Sequence, residues 1–329
     1  MKKWISIFCS VLLVLSLSAC DTKQDKTEEL KIVTSNFPGY DFARAVVGNE
    51  DTIDMLLKPG QESHSYDPTP QDIVKISEAD IFIYTGGESD TWVDEMLKTI
   101  DNEDLVCIRM MDYVDVYEEE IVEGMQEDEH VHDDDHDHDD HEHEDEEHNH
   151  EDEGEYDEHV WTSPKNAITI IEAIEKAIIN IDSNNEKTYQ DNTDSYIKQI
   201  EEVDASIREV VNNGTTKEII FGDRFPFRYF VEEYGLTYYA AFPGCSEQTE
   251  VDAKTIAFLV SKVEEDNIPV IFHIELSNTN IATTISNETG VKVLQFHSIH
   301  NLTESEFTSG KTYIDFMKEN IENLKEALH

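Results

Sequence analysis

The side chains best able to do chemistry in this sequence are histidines and carboxylates, the nitrogen and oxygen donors that proteins use to bind transition metals. Eight histidines lie among acidic residues in one tract, DEHVHDDDHDHDDHEHEDEEHNH, at positions 128–150 of the 329 residues. No apolar residue follows Val131 in this tract, so it cannot bury a core and is predicted to be disordered. We interpret it as an auxiliary loop that collects zinc weakly, through His130, His132, His136, His138, His141, His143, His148 and His150.

Single histidines occupy three other loops. His64 lies in KPGQESHSYDPTP, His159 in DEHVWTSP and His297 in HSIHN. The first and last of these loops follow predicted strands, and the second precedes a predicted helix. Because ligands of open α/β sheets bind beyond the carboxyl ends of the strands, we expect the three loops to converge in one cleft.

Apolar strand-like runs that alternate with helical patterns must position these loops. Such alternation is typical of parallel sheets covered by helices on both faces. The predicted strands are Leu30–Thr34, Ile53–Leu57, Ile81–Tyr84 and Leu105–Ile108 in the first half, then Ile219–Phe221, Thr237–Ala241, Val270–Leu276 and Val291–Phe296 in the second. The predicted helices include Gln71–Glu78, Pro164–Ile181, Phe227–Tyr234, Asp252–Glu265, Thr279–Thr289 and Tyr313–Ala327. The sequence therefore predicts an α/β protein with two lobes.

A long helix is predicted between the two lobes. Residues Glu186 to Asn213 contain no Gly or Pro, and apolar side chains recur every three or four residues along them. At 1.5 Å per residue this helix would be about 40 Å long, enough to span both lobes as a rigid linker. The predicted organisation is an N-terminal lobe at 30–184 that contains the disordered loop 127–155, a linker helix at 185–213 and a C-terminal lobe at 214–329.

The N-terminus has the pattern of a bacterial lipoprotein signal. The basic start MKK precedes an apolar run, and the lipobox LSAC ends at Cys20. We predict that residues 1–19 are a signal peptide, that Cys20 is lipidated and that residues 20–29 are a tether. The mature protein would then be anchored to a membrane and work outside the cytoplasm.

Charge and cysteine usage narrow the function further. The formal net charge of −50 argues against a nucleic-acid partner, whose phosphates would be repelled, and favours attraction of cations. Two of the four cysteines, Cys107 and Cys245, lie outside the signal and the lipidation site. Their spacing does not resemble a metal knuckle. An oxidising compartment would permit a disulfide between them, and the sequence leaves that pairing open.

Two segments resemble the metal-binding lipoproteins of ABC importers for zinc and manganese, cluster A-I of the solute-binding proteins. PGQESHSYDPTPQDI is similar to the first ligand loop of that family, and DEHVWTSPKNA to its acidic-His-aromatic-x-Ser-Pro element. A His-rich acidic insert directly before the second element is typical of the zinc-handling members. The resemblance covers nearly all of the mature chain. It implies two lobes joined by a rigid helix, one buried metal ion between them and an ABC permease as partner, and we expect a monomer.

The resemblance also implies the histidine ligands. It places His64 and His159 at the first and second histidine positions of the family. Arg224 stands where the family usually has a further histidine, and its guanidinium, which stays protonated, cannot coordinate a metal. His297 stands where the family commonly has an aspartate ligand, so we expect the third imidazole from His297.

A carboxylate is expected as a possible fourth ligand, from Asp223 or Glu275, with Arg224 pairing with one of them and holding it in place. His273 and His300 are expected to be hydrogen-bonded neighbours of the site. Three imidazoles with at most one carboxylate favour zinc, and manganese or iron is the alternative.

Three classes of function compete for this pattern. A binding protein needs one enclosed metal site and a membrane anchor, and we predict this class and no enzymatic activity. A zinc hydrolase would need an open coordination position beside a general base, and the sequence has no HExxH motif. A surface zinc buffer or adhesin would use the acidic histidine tract as its functional part, and it remains an alternative.

Overall fold

Two lobes, each built on a four-stranded parallel sheet, form the part of the chain that the structure describes. The structure is a computed structural model, and it describes residues 30–63, 66–126, 155–246, 248 and 250–329. The predicted α/β class with two lobes and a long connecting helix is confirmed. Among the residues described, no helix combines the length and the apolar character that crossing a membrane requires.

The first lobe has the sheet order β2-β1-β3-β4. Its strands are β1 (Ile32–Thr34), β2 (Ile53–Met55), β3 (Ile81–Tyr84) and β4 (Val106–Arg109). Its helices are α1 (Phe37–Val47), α2 (Pro70–Ser77), α3 (Trp92–Leu97) and α4 (Pro164–Ile181). From β1 the chain moves outward to β2 on one side of the sheet, and it then crosses to β3 and β4 on the other side. Open α/β sheets have a crevice for ligands at this change of direction, between β1 and β3.

The second lobe repeats this arrangement with the order β6-β5-β7-β8. Its strands are β5 (Glu218–Phe225), β6 (Thr237–Pro243), β7 (Val270–His273) and β8 (Lys292–Gln295). Helix α5 (Glu186–Asn213) leads into it, and its own helices are α6 (Arg228–Tyr234), α7 (Ala253–Glu265), α8 (Asn280–Thr289), α9 (Glu304–Thr308) and α10 (Tyr313–Leu328). The crevice of this sheet lies between β5 and β7.

Helix α5 joins the lobes with the bounds that its periodicity predicts. Its buried side chains, Tyr189, Thr193, Ile200, Val203, Ile207 and Val211, form one stripe along the helix. The stripe packs against α1, α4 and α10. One hydrophobic cluster consequently runs through both lobes, from Ile32 of β1 to Phe272 of β7.

A second connection between the lobes follows β4. Residues 114–126, the crossing segment, leave the first lobe and run along the second. The Tyr117 N–H donates to the Tyr229 hydroxyl at 3.2 Å, and the Gln126 N–H donates to the Ala241 carbonyl of β6 at 2.9 Å. The chain returns at Glu155, whose carbonyl accepts from the Glu119 N–H at 2.8 Å. The acidic histidine tract therefore lies between two anchored points.

Candidate metal centre

His159 is held by the turn that leads into α4. Ser163 caps that helix by accepting from the Asn166 N–H, and Pro164 occupies its first turn. Next to His159, the fully buried Trp161 donates from its indole Nε1 to the Ser298 carbonyl of the second lobe at 2.8 Å. The helix cap and the buried indole therefore fix the backbone on both sides of the His159 imidazole.

Asp157 orients the His159 ring. Its Oδ1 accepts from the His159 N–H at 2.8 Å and lies 3.1 Å from Nδ1 of the same residue. A carboxylate on one ring nitrogen fixes the tautomer, so coordination would use Nε2. Burial lowers the pKa of His159, but the neighbouring carboxylates, above all Asp157, outweigh it and raise that pKa above its ordinary value.

His300 supplies the second imidazole. Its ring centroid lies 5.3 Å from that of His159. Its Nδ1 lies 3.1 Å from the Ser63 hydroxyl of the first lobe, so coordination would use Nε2 here too. The preceding residue, Ile299, has a φ of 65°, in the left-handed region that β-branched residues rarely adopt. This turn of the backbone brings His300 to the cleft.

Glu158 completes the described group. Glu158, His159 and His300 are all buried, and each offers one ligand atom within 4.8 Å of the others. The Glu158 carboxylate also accepts from the N–H of Ser89 at 3.0 Å and from its hydroxyl. Gly87 packs against it so closely that an added Cβ would lie 2.3 Å from the Glu158 Cβ. The loop after β3 therefore holds this carboxylate in place.

His297 lies outside the group that the structure forms from Glu158, His159 and His300. Its Nε2 lies 3.1 Å from the Glu319 carboxylate, and its ring packs on Phe316 with centroids 4.8 Å apart. Asn320 fixes its backbone by accepting from the His297 N–H at 2.7 Å and donating to the His297 carbonyl at 2.8 Å. These contacts turn the side chain toward α10, so the structure does not bring His297 to the group around His159.

The two carboxylates considered as a fourth ligand, Asp223 and Glu275, lie outside the group and accept hydrogen bonds from residues of the second lobe. Asp223 Oδ2 accepts from the Ile274 N–H at 3.0 Å and from the Ser277 hydroxyl. Glu275 accepts from the N–H and the hydroxyl of Ser298, both at 2.7 Å, and from the His300 N–H at 3.1 Å. Glu275 therefore positions the loop that carries His300.

Arg224 does not make the pairing expected for it. Its guanidinium donates to both carboxylate oxygens of Glu62 in the first lobe, at 3.2 and 3.0 Å, and not to the carboxylates of Asp223 or Glu275. His273, half-buried, places Nδ1 2.9 Å from the Ile274 carbonyl, as a hydrogen-bonded neighbour would. His64, the eight histidines of the acidic tract and Cys20 lie outside the described residues.

A small cavity adjoins two members of the group, His159 and His300. It has a volume of about 20 Å³, and its walls come from both lobes. Its charged and imidazole side chains are Glu62, His159, Arg224, Glu275 and His300. Buried imidazole nitrogens with a carboxylate oxygen form the donor set that zinc accepts in tetrahedral sites. The arrangement can therefore enclose one small cation between the lobes.

The sequence alone pointed to His159 through its local motif, but it did not identify His300 or Glu158 as members of the group. The one available signal for His300 was its place three residues after His297 in the same loop. Glu158 directly precedes His159, and acidic residues are so common in this chain that its type carries little information.

Comparison with known proteins gives a consistent family match. The family described as ZnuA, zinc-uptake complex component A, periplasmic, matches residues 32–327. The high-affinity zinc uptake system protein ZnuA of Bacillus subtilis strain 168 is 30% identical over 333 residues, which cover 99% of this chain and 98% of that protein. The zinc-binding lipoprotein AdcA of Streptococcus pneumoniae strain R6 is 30% identical over 327 residues, and the chain spans only 61% of its length.

Two solved structures are similar over most of the chain. The metal-dependent lipoprotein YcdH of Bacillus subtilis has a TM-score of 0.73 at 28% identity, covering 91% of this chain and 100% of that one. The Zn(II)-bound ZnuA-like domain of Streptococcus pneumoniae AdcA has a TM-score of 0.71 at 27% identity, covering 91% of this chain and 99% of the domain. Both likenesses extend across the two lobes and the helix between them.

Proposed function

Because the chain belongs to the ZnuA family of zinc-uptake components, we propose that it is the extracytoplasmic zinc-binding protein of an ABC importer. The observation that carries this proposal is the buried group of Glu158, His159 and His300 beside a cavity shared by both lobes. A buried group of this kind can select an ion by its geometry, and it offers no wide pocket for an organic substrate.

The proposed ligand set changes two members of the expected one, because His300 replaces His297 and Glu158 replaces Asp223 or Glu275 as the carboxylate. We assign His159 and His300 as imidazole ligands and Glu158 as the nearest carboxylate, and we keep His64 as the third imidazole on the strength of its loop motif. Ser63, which precedes His64 in the sequence, contacts His300, so the described part of that loop reaches the group. Three nitrogens and one oxygen favour zinc over manganese, which prefers more oxygen ligands.

The proposed setting follows from the family and from the N-terminal sequence. Lipidation at Cys20 would tether the protein to the membrane surface, and an ABC permease would receive the metal. We propose that the chain acts as a monomer and performs no catalysis. The relatives support zinc as cargo, since the Bacillus subtilis protein is named for high-affinity zinc uptake and the Streptococcus pneumoniae domain is Zn(II)-bound.

The test is a competition titration of residues 21–329 with zinc and with manganese against a chromophoric chelator. We expect one tight zinc equivalent and weaker manganese binding. The same titration on His159→Ala should lose the tight equivalent while circular dichroism of the metal-free protein stays unchanged, since a loop ligand contributes little to either core. Equal zinc binding by His159→Ala and the unsubstituted protein would contradict the proposal.

A further inference from the structure

We propose that Glu62 and Arg224 form a clasp across the cleft that positions His300 and slows the release of zinc. The inference rests on the proposed function and deepens it, because it assigns a role to two side chains that are not ligands. Arg224 lies on β5 of the second lobe, and Glu62 lies in the loop after β2 of the first. The pair therefore connects the two lobes directly.

The geometry of the pair is that of a two-point fork. Nη1 of Arg224 lies 3.2 Å from one carboxylate oxygen of Glu62, and Nη2 lies 3.0 Å from the other. Nη1 also donates to the Ser246 carbonyl at 3.3 Å. The Arg224 side chain is only 12% exposed. Bidentate pairs of a largely buried arginine are more specific and stronger than exposed single contacts.

Backbone contacts seat the same loop on the second lobe. The Gly60 N–H donates to the Leu302 carbonyl at 2.8 Å. The side-chain amide of Asn301 donates to the carbonyls of Lys58 and Gln61, both at 2.9 Å. Residues 58–63, the clasp loop, are thus held by residues 300–302 and by Arg224. Glu62 holds this loop to Arg224 through its side-chain carboxylate, so loss of that carboxylate should loosen the loop at the cavity.

Within the clasp loop, Ser63 makes a contact with the metal group. Ser63 follows Glu62 and contacts His300 Nδ1 at 3.1 Å. A partner on Nδ1 fixes the ring orientation and the tautomer that lets Nε2 coordinate. Displacement of Glu62 from Arg224 would shift Ser63 and loosen the hydrogen bond that selects the tautomer of His300, while Trp161 still packs on the ring. Glu62 and Arg224 are therefore positioning residues for His300.

Charge gives the pair a second effect. Arg224 lines the same cavity as His159 and His300, and a guanidinium there repels a divalent cation. Glu62 offsets that charge while it holds the fork. Removing Glu62 alone should therefore weaken zinc binding through both the loop and the unbalanced charge. Removing Arg224 alone loosens the loop but also removes the repulsion of the cation, so its effect on zinc binding should be smaller.

The experiment measures zinc dissociation by chelator chase, with melting temperatures of the metal-free and zinc-loaded forms. The variants are Glu62→Gln, Arg224→Gln and the double variant, all in residues 21–329. Arg208→Gln is the matched control, because the Arg208 guanidinium also makes two contacts with carboxylates, those of Asp204 and Glu233, but it lies on α5, does not line the cavity and is 43% exposed. The dissociation rate is measured because differences in affinity among related complexes reside mainly in that rate.

We expect Glu62→Gln to speed zinc dissociation about tenfold, equivalent to about 1.4 kcal/mol, and Arg224→Gln to speed it by a smaller factor. The double variant should not exceed the larger single effect, because both substitutions break one pair. The zinc-induced rise in melting temperature should shrink in the variants and stay unchanged in Arg208→Gln.

Unchanged dissociation in both single variants, or slower dissociation in Arg224→Gln, would overturn the clasp while leaving the proposed function intact. An equal fall in the melting temperatures of the metal-free and zinc-loaded forms, with unchanged dissociation, would overturn it too, because it would show a purely structural pair. Failure of the unsubstituted protein to bind zinc would overturn both proposals.

Discussion

The imidazole rings of His159 and His300 stand almost perpendicular, at 86°, with their centroids 5.3 Å apart. One ring comes from the turn before α4 and the other from the loop after β8, so each lobe contributes one side of the pair. Both rings also contact Trp161, at 5.5 and 5.0 Å between centroids. Their relative position is therefore set by packing before any ion arrives.

His300→Ala should weaken zinc binding by about 100-fold or more, since even the loss of a group that only orients a ligand costs about 10- to 100-fold. His297→Ala is its matched control, because His297 lies in the same loop but contacts Glu319. We expect the control to change the zinc affinity by less than about threefold. Competition titrations that measure the zinc affinity of both variants show which of the two histidines is the ligand. A large loss in His297→Ala with none in His300→Ala would restore His297 as the ligand.

Asp157→Asn should weaken zinc binding by about 10- to 100-fold, because the partner of a coordinating imidazole would lose its charge. The asparagine can still accept from the His159 N–H, so the turn itself should survive. Titration with zinc and circular dichroism of the metal-free variant measure the two effects separately. An unchanged affinity would show that Asp157 serves only the backbone of the turn.

Zinc affinity should fall as the pH is lowered through the raised pKa of His159. Protonated imidazole cannot coordinate, and the carboxylates around His159 raise its pKa despite burial. The loss on acidification should therefore begin at a higher pH than for an ordinary histidine. Titrations between pH 5.5 and 8 test this, and Asp157→Asn should move the onset to lower pH. A flat profile across that range would contradict the assignment of His159.

Asp90→Asn should flatten the pH dependence of the stability of the metal-free protein. Burial, assisted by Glu158, raises the pKa of Asp90 to about 7. The folded state then holds a proton that the unfolded state has released, so stability falls as the pH rises from the unfolded value of 3.8 to about 7. One pKa unit corresponds to about 1.4 kcal/mol, so the loss amounts to about 4 kcal/mol. Urea unfolding from pH 5 to 8 covers the upper part of this range, in which about 3 kcal/mol of the loss occurs.

Asp72→Asn is the control for that experiment. Burial would raise the pKa of Asp72, but hydrogen bonds from Thr69 and Tyr66 and the nearby Lys75 lower it overall. Asp72 is therefore ionised in both states between pH 5 and 8, and its loss should leave the slope unchanged. If Asp90→Asn and the unsubstituted protein show the same slope, the buried Asp90 is not the group responsible.

Deletion of residues 128–150 should remove weak zinc sites and preserve the tight one. The sequence of the tract has no apolar residue after Val131 that could hold its imidazoles in place, so zinc binding there should cost ordering entropy and be weak. The crossing segment and Glu155 are anchored outside the deleted stretch, so the lobes should keep their contacts. Equilibrium dialysis at low and high zinc counts both classes of site. Loss of the tight equivalent would show that the tract belongs to the main site.

Much of the fold could be predicted from periodicity and caps. Strand β3 and helices α4 and α5 have the predicted bounds, because each is a clean apolar run or stripe. Helix α1 was missed, since Phe37-Pro38-Gly39 reads as a turn. In the structure Asn36 caps this helix, and Gly39 allows it to lie on the sheet, where an added Cβ would be 3.2 Å from Ile83.

The group around His159 was predictable only where its members lie in local motifs. His159 precedes the helix cap Ser163 by four residues, within the motif DEHVWTSP. His300 depends on the left-handed backbone of Ile299, and the exclusion of His297 depends on Asn320 from another helix. Both are tertiary effects that spacing along the chain does not encode.

The crossing segment also covers part of the outer edge of the second lobe's sheet. Strand β6 is an outer strand of its sheet, and unpaired outer strands are templates for aggregation. The Gln126 N–H pairs with the Ala241 carbonyl of β6, and Gly124 packs against Phe258 of α7. A fragment comprising residues 214–329 alone would expose this strand and the Phe258 ring. Such a fragment should form oligomers through β6 even where its own sheet folds correctly, so the lobe depends on the first half of the chain for its solubility.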